Sequence, residues 1–412
     1  MDQRLVMTVN KNRRKFLIQS KRFATVGVAT LLGGTVVWRA HEREVFSESK
    51  ASGEHYLNVA KSTFGEDARF FCAAGALASS YLNSQPWSFE VSDKQILVFA
   101  DMSRWTGAND PAARMLFMSI GAAIRNIEIA ARAHGNVTKT SIVLDESVFI
   151  PGNAELVLVA QIDLFPKQLT QDFGNSYKAI ADRRTNRHTH DLGRYIAKSD
   201  IRKIRIIGET TLTKTLLIPH TERSHGVLAR LMAEASLFRR SSRECTDDAA
   251  RWFRCEAVDA LAKRDGETLE TLGIPPLYLP AWKFWRCPSP QDLANFRSDI
   301  IAERSRYSNY LGALMLPRDK VSMRSIVFAG GVWQSLCLTA TQFGLSIHPV
   351  SALSEYFFTP SLKKARHAED QFQRHVSRTR DWRAVLSFRL GSATGESSFS
   401  YRRKPNSFIF KV

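Results

Sequence analysis

Apolar positions recur along the chain with two periods, and these divide it into helices and strands. Residues 55–82 carry Phe64, Phe70, Phe71, Ala74 and Leu77 at helical spacing. Ser88–Val91 and Gln95–Ala100 read as two strands around a Ser92-Asp93-Lys94 turn. Ala112–His134 is the longest clean helix of the first half. Its Met115, Ile120, Ala123, Ile127, Ala130 and Ala131 fall on one side, and Gly135 is a natural stop. Thr140–Leu144 and Glu155–Ile162 follow as strands. A second half begins near Pro166. It holds predicted helices over Gln168–Asp182, Glu222–Arg240 (Leu228, Leu231, Met232, Ala235 and Phe238 inward), Ala249–Ala262 and Ser325–Phe343. Its predicted strands are 211–219, Tyr310–Leu316, Gly344–Pro349 and Arg383–Leu390.

Two of these helices echo one another. Gly121-Ala122-Ala123-Ile124-Arg125-Asn126-Ile127 and Gly330-Gly331-Val332-Trp333-Gln334-Ser335-Leu336 are each followed by a glycine and an extended run, a faint internal repeat. Between the halves' regular elements, Gly273–Trp282 is rich in proline and aromatics, and Trp285 and Pro288 extend it. Such an insertion, spanning about 273–292, serves either as a lid or as an irregular wrap over core surface. Tyr278 and Trp282 are its candidates for covering a ligand.

The chain has 412 residues, 44% of them hydrophobic, and a length that exceeds one core, so two lobes are expected. The formal charge of +18 suits an anionic partner (nucleic acid, anionic lipid or a small ligand) or a solvated surface. The alternating aromatic and basic strands of single-strand binders are missing, which argues against nucleic acid. Cys72 and Cys337 lie in apolar helical stretches as small core residues. A Cys245–Cys255 or a Cys255–Cys287 bridge is open in an oxidising compartment. Residues 1–40 read as a targeting segment. Asn12-Arg13-Arg14-Lys15-Phe16-Leu17 resembles a twin-arginine export motif, and a modest apolar run from Phe23 to Trp38 follows. Without a clear cleavage site the segment either leaves or stays as a membrane anchor, and residues 41–54 read as a polar linker. The expected location is periplasmic or membrane-anchored in a bacterium.

No Ser/His/Asp or Cys/His set, zinc spacing, Walker loop or Rossmann glycine pattern is visible, and His188 and His190 form no metal motif. The absence of catalytic side-chain sets fits a protein whose cofactor carries the chemistry. Arg183-Arg184-Thr185-Asn186-Arg187 offers a forked set of donors to a phosphate, or else caps a helix C-terminus in solvent.

The run Ser80-Tyr81-Leu82-Asn83-Ser84-Gln85-Pro86-Trp87 resembles the Asn-x-Gln-Pro-Trp signature of the FMN-binding nitroreductase superfamily. The likeness is to its long-chain Acg-type branch, in which two nitroreductase-like halves are fused. Arg183–Arg187 resembles that family's phosphate element, and Tyr401-Arg402-Arg403-Lys404-Pro405 resembles its C-terminal basic element. The resemblance implies an α+β fold with residues 55–165 and 166–412 as halves, each a sheet packed by long helices, and one FMN between them. It implies Arg183, Arg184 and Arg187 at the phosphate, completed by Arg402 or Arg403. Thr185 or Asn186 would reach the phosphate, the ribityl chain or the ring edge. Ser80 and Asn83 would bond the isoalloxazine from the opposite half, with Gln85 close by. The implied activity is electron transfer from reduced nicotinamide, NAD(P)H, through FMN to a nitroaromatic or quinone-like acceptor. The alternative is an FMN-sequestering protein with little turnover, and a homodimer is open to either. Ser79 and Leu82 stand where the family usually has Pro and His, so no catalytic residue is assigned.

Overall fold

The computed structural model describes residues 52–146, 155–166, 173–274, 276–284, 287–359 and 362–411. The export-like segment 1–40 and most of the linker lie outside them. The first predicted helix is two, α1 (Gly53–Phe64) and α2 (Ala68–Gly75). Gly65 ends α1 at a φ of +69°, a value costly for any side chain. Asp67 then caps α2 by accepting from the amides of Arg69 and Phe70. Helix α1 starts at Gly53, within the last two residues of the stretch read as a linker over 41–54.

Strands β1 (Trp87–Val91) and β2 (Gln95–Asp101), helix α3 (Arg114–Ala133), and strands β3 (Asn136–Ile142) and β4 (Leu156–Pro166) follow. Next come α4 (Gly174–Asp182), α5 (Lys198–Ile207) and β5 (Lys214–Pro219). A run of helices comes next: α6 (Arg223–Ser241), α7 (Arg243–Ala250), α8 (Ala257–Lys263), α9 (Leu279–Phe284) and α10 (Pro290–Arg306). The chain then returns to β6 (Tyr310–Pro317), α11 (Met323–Gln342), β7 (Ser346–Val350), α12 (Ala352–Phe357), α13 (Lys363–Phe372), β8 (Trp382–Gly391) and β9 (Ile409–Lys411).

These strands form two sheets, ordered β3-β4-β2-β1-β9 and β5-β6-β8-β7. The fold is α+β, with both sheets largely antiparallel. The exception is β9, which runs parallel to β1 with Ile409 opposite Phe89. The last described strand therefore completes the sheet of the first half. Where β1 and β2 are joined by a tight turn, β5 and β6 are separated by the whole run α6–α10. The insertion is thus far larger than the proline-aromatic stretch suggested. Tyr278 and Trp282 pack within it against Leu269, Leu272 and Leu293.

Helices α3 and α11 are the spine between the sheets. A Cβ on Gly121 would lie 1.8 Å from the Val327 carbonyl oxygen, and one on Gly330 would lie 2.0 Å from that of Met118. Farther along, Arg125 donates from Nε to Ser335 at 3.0 Å, and Gln334 donates from Nε2 to Asn126 at 2.9 Å. The contacts are reciprocal. One offset along the chain carries Met118, Gly121, Arg125 and Asn126 onto Val327, Gly330, Gln334 and Ser335.

Other expectations change in detail. The helix predicted over Ala249–Ala262 breaks into α7 and α8, because Arg254 turns in to Asp265 with Nη2–Oδ1 at 2.7 Å. Phe238 is 39% exposed rather than inward. Of the two cystine pairings left open, the structure holds Cys255–Cys287, while Cys72 and Cys337 are buried free thiols. No described helix is long and apolar enough to cross a membrane.

Candidate functional site

The turn after α2 is tightly specified. Leu82, Asn83 and Gln85 hold φ values of +50°, +53° and +51°, a left-handed backbone that only glycine, and to a lesser degree asparagine, adopts readily. The strain is held by a local mesh. The Asn83 amide donates to the Ser80 carbonyl at 3.1 Å, that of Ser84 to Tyr81 at 2.9 Å, and that of Gln85 to the Ser80 hydroxyl at 3.1 Å. Pro86 fixes the exit into β1.

The turn's two amide side chains reach distant segments. Asn83 Nδ2 donates to the carbonyls of Gly266 (2.9 Å) and Tyr401 (3.1 Å). Gln85, fully buried, donates to the Arg264 carbonyl at 2.9 Å and accepts from the Arg403 amide at 2.9 Å. Arg403 Nη1 donates back to the Gln85 and Trp87 carbonyls. Gln85 and Arg403 therefore tie the turn to the segment preceding β9, and Ser80 braces the turn from within.

Arg183 and Arg402 form the centre of the site. Arg183 follows α4 and is 4% exposed, and Arg402 is 3% exposed. Their Nη2 groups point to adjacent carbonyls, Leu77 and Ala78, each at a long 3.5 Å. Arg402 Nη1 donates to Asn83 Oδ1 at 2.7 Å. Neither guanidinium has a carboxylate partner among the described residues, and the Nε of each is buried without an acceptor. Burial first, and then the charge of Arg183, holds Arg402 down to about 9. Burial lowers Arg183 as well. Two buried cations repel and keep unpartnered Nε donors, an arrangement that costs stability and that a bound anion would relieve. A compact dianion with several acceptor oxygens, such as a phosphate monoester, fits this donor set.

The rest of the predicted basic cluster diverges. Arg184 is exposed. Thr185 pairs with Ile347 through its backbone and accepts from Ser397 on its carbonyl. Asn186 donates to the Gly395 carbonyl at 2.8 Å. Arg187 is ion-paired to Glu267, a residue of the insertion, and donates to the Thr271 carbonyl at 2.8 Å. Arg297 holds the other Glu267 oxygen at 2.5 Å. Burial alone would raise the Glu267 carboxyl, but Arg187 and Arg297 outweigh it and hold it below the usual range.

Beside the turn lies a cavity of about 140 Å³. Tyr81, Leu82 and Arg187 face it from the two halves, and Arg239, Glu267, Arg297 and Ile301 face it from the insertion. Behind its wall are two acids that the sequence reading passed over. Asp110 accepts from the amides of Met115 (3.0 Å) and Leu116 (2.9 Å) at the start of α3. Burial, then Glu355, pushes its carboxyl up to about 7. Glu355 is itself buried and bonded to Arg114 at 2.7 Å. Only their place beside apolar helix starts marks these acids in sequence.

No family model matches the chain, and no curated protein does. Several solved structures are similar at low identity. A candidate nitroreductase from Anabaena variabilis matches with a TM-score of 0.47 and 10% identity, covering 91% of this chain and 99% of that one. An FMN-dependent nitroreductase from Mycobacterium smegmatis, in complex with NADPH, matches with a TM-score of 0.36 and 14% identity, covering 54% of this chain and 90% of that one. A nitroreductase with bound FMN from Desulfitobacterium hafniense matches with a TM-score of 0.34 and 9% identity, covering 55% and 92%.

Proposed function

We propose that the protein binds FMN between its two halves and acts as a nitroreductase-like oxidoreductase. The observation that carries this reading is the buried Arg183–Arg402 pair, which has unpartnered Nε groups and no carboxylate. FMN, implied by the Asn83–Trp87 signature and named for two of the similar structures, presents a phosphate monoester of the required charge. Arg183 and Arg402 would take the phosphate. Asn83 orients Arg402 through its Oδ1. Arg187 is withdrawn from the phosphate by Glu267 and belongs to the neighbouring cavity. Bound FMN would supply electron transfer from a reduced nicotinamide to a nitroaromatic or quinone-like acceptor. The protein's own part is to hold the phosphate, fix the turn and exclude water with the insertion.

The reciprocal α3–α11 contacts support an internal duplication of the Acg type. The Cys255–Cys287 bridge supports folding in an oxidising compartment, as export by the twin-arginine-like segment would provide.

A second reading has its own support. The loop 264–273 is bonded to Asn83, Gln85 and Arg187, so the insertion closes over the turn. A site closed in this way suits an FMN-holding protein with little turnover. One experiment separates the two: purify the protein with FMN, remove oxygen, and add reduced nicotinamide while recording the visible spectrum. Bleaching of a bound flavin supports the oxidoreductase. Retained but unbleached flavin supports sequestration, and a failure to retain flavin overturns both.

A further inference from the structure

The cavity beside the turn has a charge pattern that a flavin phosphate does not account for. Four arginines face it, Arg187, Arg239, Arg240 and Arg297, against one carboxylate, Glu267. Glu267 is committed to Arg187 and Arg297. Arg240 is held by Ser298 at 3.2 Å and by Asp299 at 3.3 Å. Arg239 is left over. Its guanidinium donates to the Tyr81 hydroxyl and, at 2.7 Å, to the Asn109 carbonyl, both neutral. Among the described residues no carboxylate lies within ion-pair distance of it. The nearest acids, Asp110 and Glu355, stand behind the wall, where two α3 amides hold the first and Arg114 holds the second. The cavity is also lined by the hydroxyl-bearing Tyr81, Ser236 and Ser351 and by the apolar Leu272, Ile300 and Val350.

Size narrows the occupant. A cavity of about 140 Å³ is close to the roughly 150 Å³ of an apolar cavity that holds benzene. One ring bearing a small acidic group matches that space. We propose that this cavity is a binding site for a single-ring organic anion, with its carboxylate on Arg239 and its ring against the apolar wall of the insertion. The charge supplies specificity for the acid over its neutral analogue, because an uncharged group would leave Arg239 with neutral acceptors alone. The site stands on its own geometry and does not require the flavin reading.

The test is calorimetric titration of the full chain with sodium benzoate, with and without saturating FMN, and with benzyl alcohol as the neutral comparison. The expected result is saturable one-to-one benzoate binding in both states. Benzyl alcohol should bind at least about tenfold more weakly, a factor equivalent to 1.4 kcal/mol. Arg239→Gln should weaken benzoate by a similar factor and leave benzyl alcohol unchanged. The wild-type comparison of the two probes decides the matter even if Arg239→Gln fails to fold. Three results would overturn the proposal: no saturation by about 10 mM, where a Kd near 1 mM would show; equal affinity for both probes; or benzoate displaced by FMN, which would make the cavity part of the cofactor's own site. Benzoate binding in a protein that retains no FMN would refute the flavin reading and leave this one standing.

Discussion

Replacing Arg183 with methionine separates the cost of a buried cation from its use. The side chain is almost fully buried and its one bond, to the Leu77 carbonyl, is long at 3.5 Å, so methionine sacrifices little and fills similar space. Without FMN the variant should melt at the same temperature as wild type or higher, since replacing buried charge by apolar volume is neutral to stabilising. With FMN the order should reverse. One charge-assisted bond to phosphate contributes about 1.5–3 kcal/mol, so affinity should fall about 10- to 100-fold. At an FMN concentration about 100 times the wild-type Kd, ligand linkage stabilises wild type by about 2.7 kcal/mol; a 100-fold weaker variant gains only about 0.4. Quenching of flavin fluorescence gives the affinities, and thermal melts give the linkage. Riboflavin, which lacks the phosphate, is the control: wild type should prefer FMN strongly, and Arg183→Met should narrow the preference. An FMN affinity within threefold of wild type would show that this pair is not the phosphate site.

Gly330→Ala would push a Cβ to 2.0 Å from the Met118 carbonyl, and Gly121→Ala meets Val327 in the same way. Each should cost about 1–3 kcal/mol in denaturant melts, and unequal costs would count against a shared offset between the helices. Glu267→Ala leaves Arg187 and Arg297 facing each other without an anion and should cost about 3–5 kcal/mol, read by urea unfolding. Asp110 keeps its proton to about pH 7 when folded, against 3.8 as the ordinary value. The folded state therefore binds the extra proton, and stability should fall as pH rises from about 4 to 7. Asp110→Asn should flatten that fall in melting temperatures taken between pH 5 and 8.

The two central helices were legible because their apolar stripes are long and their glycine-rich segments repeat. Helices α5 and α10 were not. Each buries few apolar side chains, Ile201 and Ile204 in the first, and is otherwise charged. The insertion was read only at its proline-aromatic core, since its flanking helices look like ordinary parts of the second half. At the site, Pro86 and the amides beside it marked the turn, but the sequence could not tell that those amides bind the chain's own carbonyls. The arginine run was read as one cluster. An extended backbone at Arg183 (ψ 123°) sends successive side chains different ways, so Arg183 turns inward and Arg184 outward. Glu267, which captures Arg187, lies far along the chain, and no spacing rule links the two.

The pairing of β9 with β1, and the place of Arg402 just before it, bear on timing. Residues 399–411 leave the ribosome after every other described element, yet they supply one of the two buried guanidiniums and an edge of the first sheet. Until they dock, the 80–85 turn lacks its partners at Tyr401 and Arg403, and Arg183 lacks the neighbouring guanidinium of Arg402. Under the proposed function, FMN retention would require these residues to have docked. A nascent or clipped chain lacking this segment lacks both Arg402 and the β9 edge, so flavin occupancy would report that both are in place.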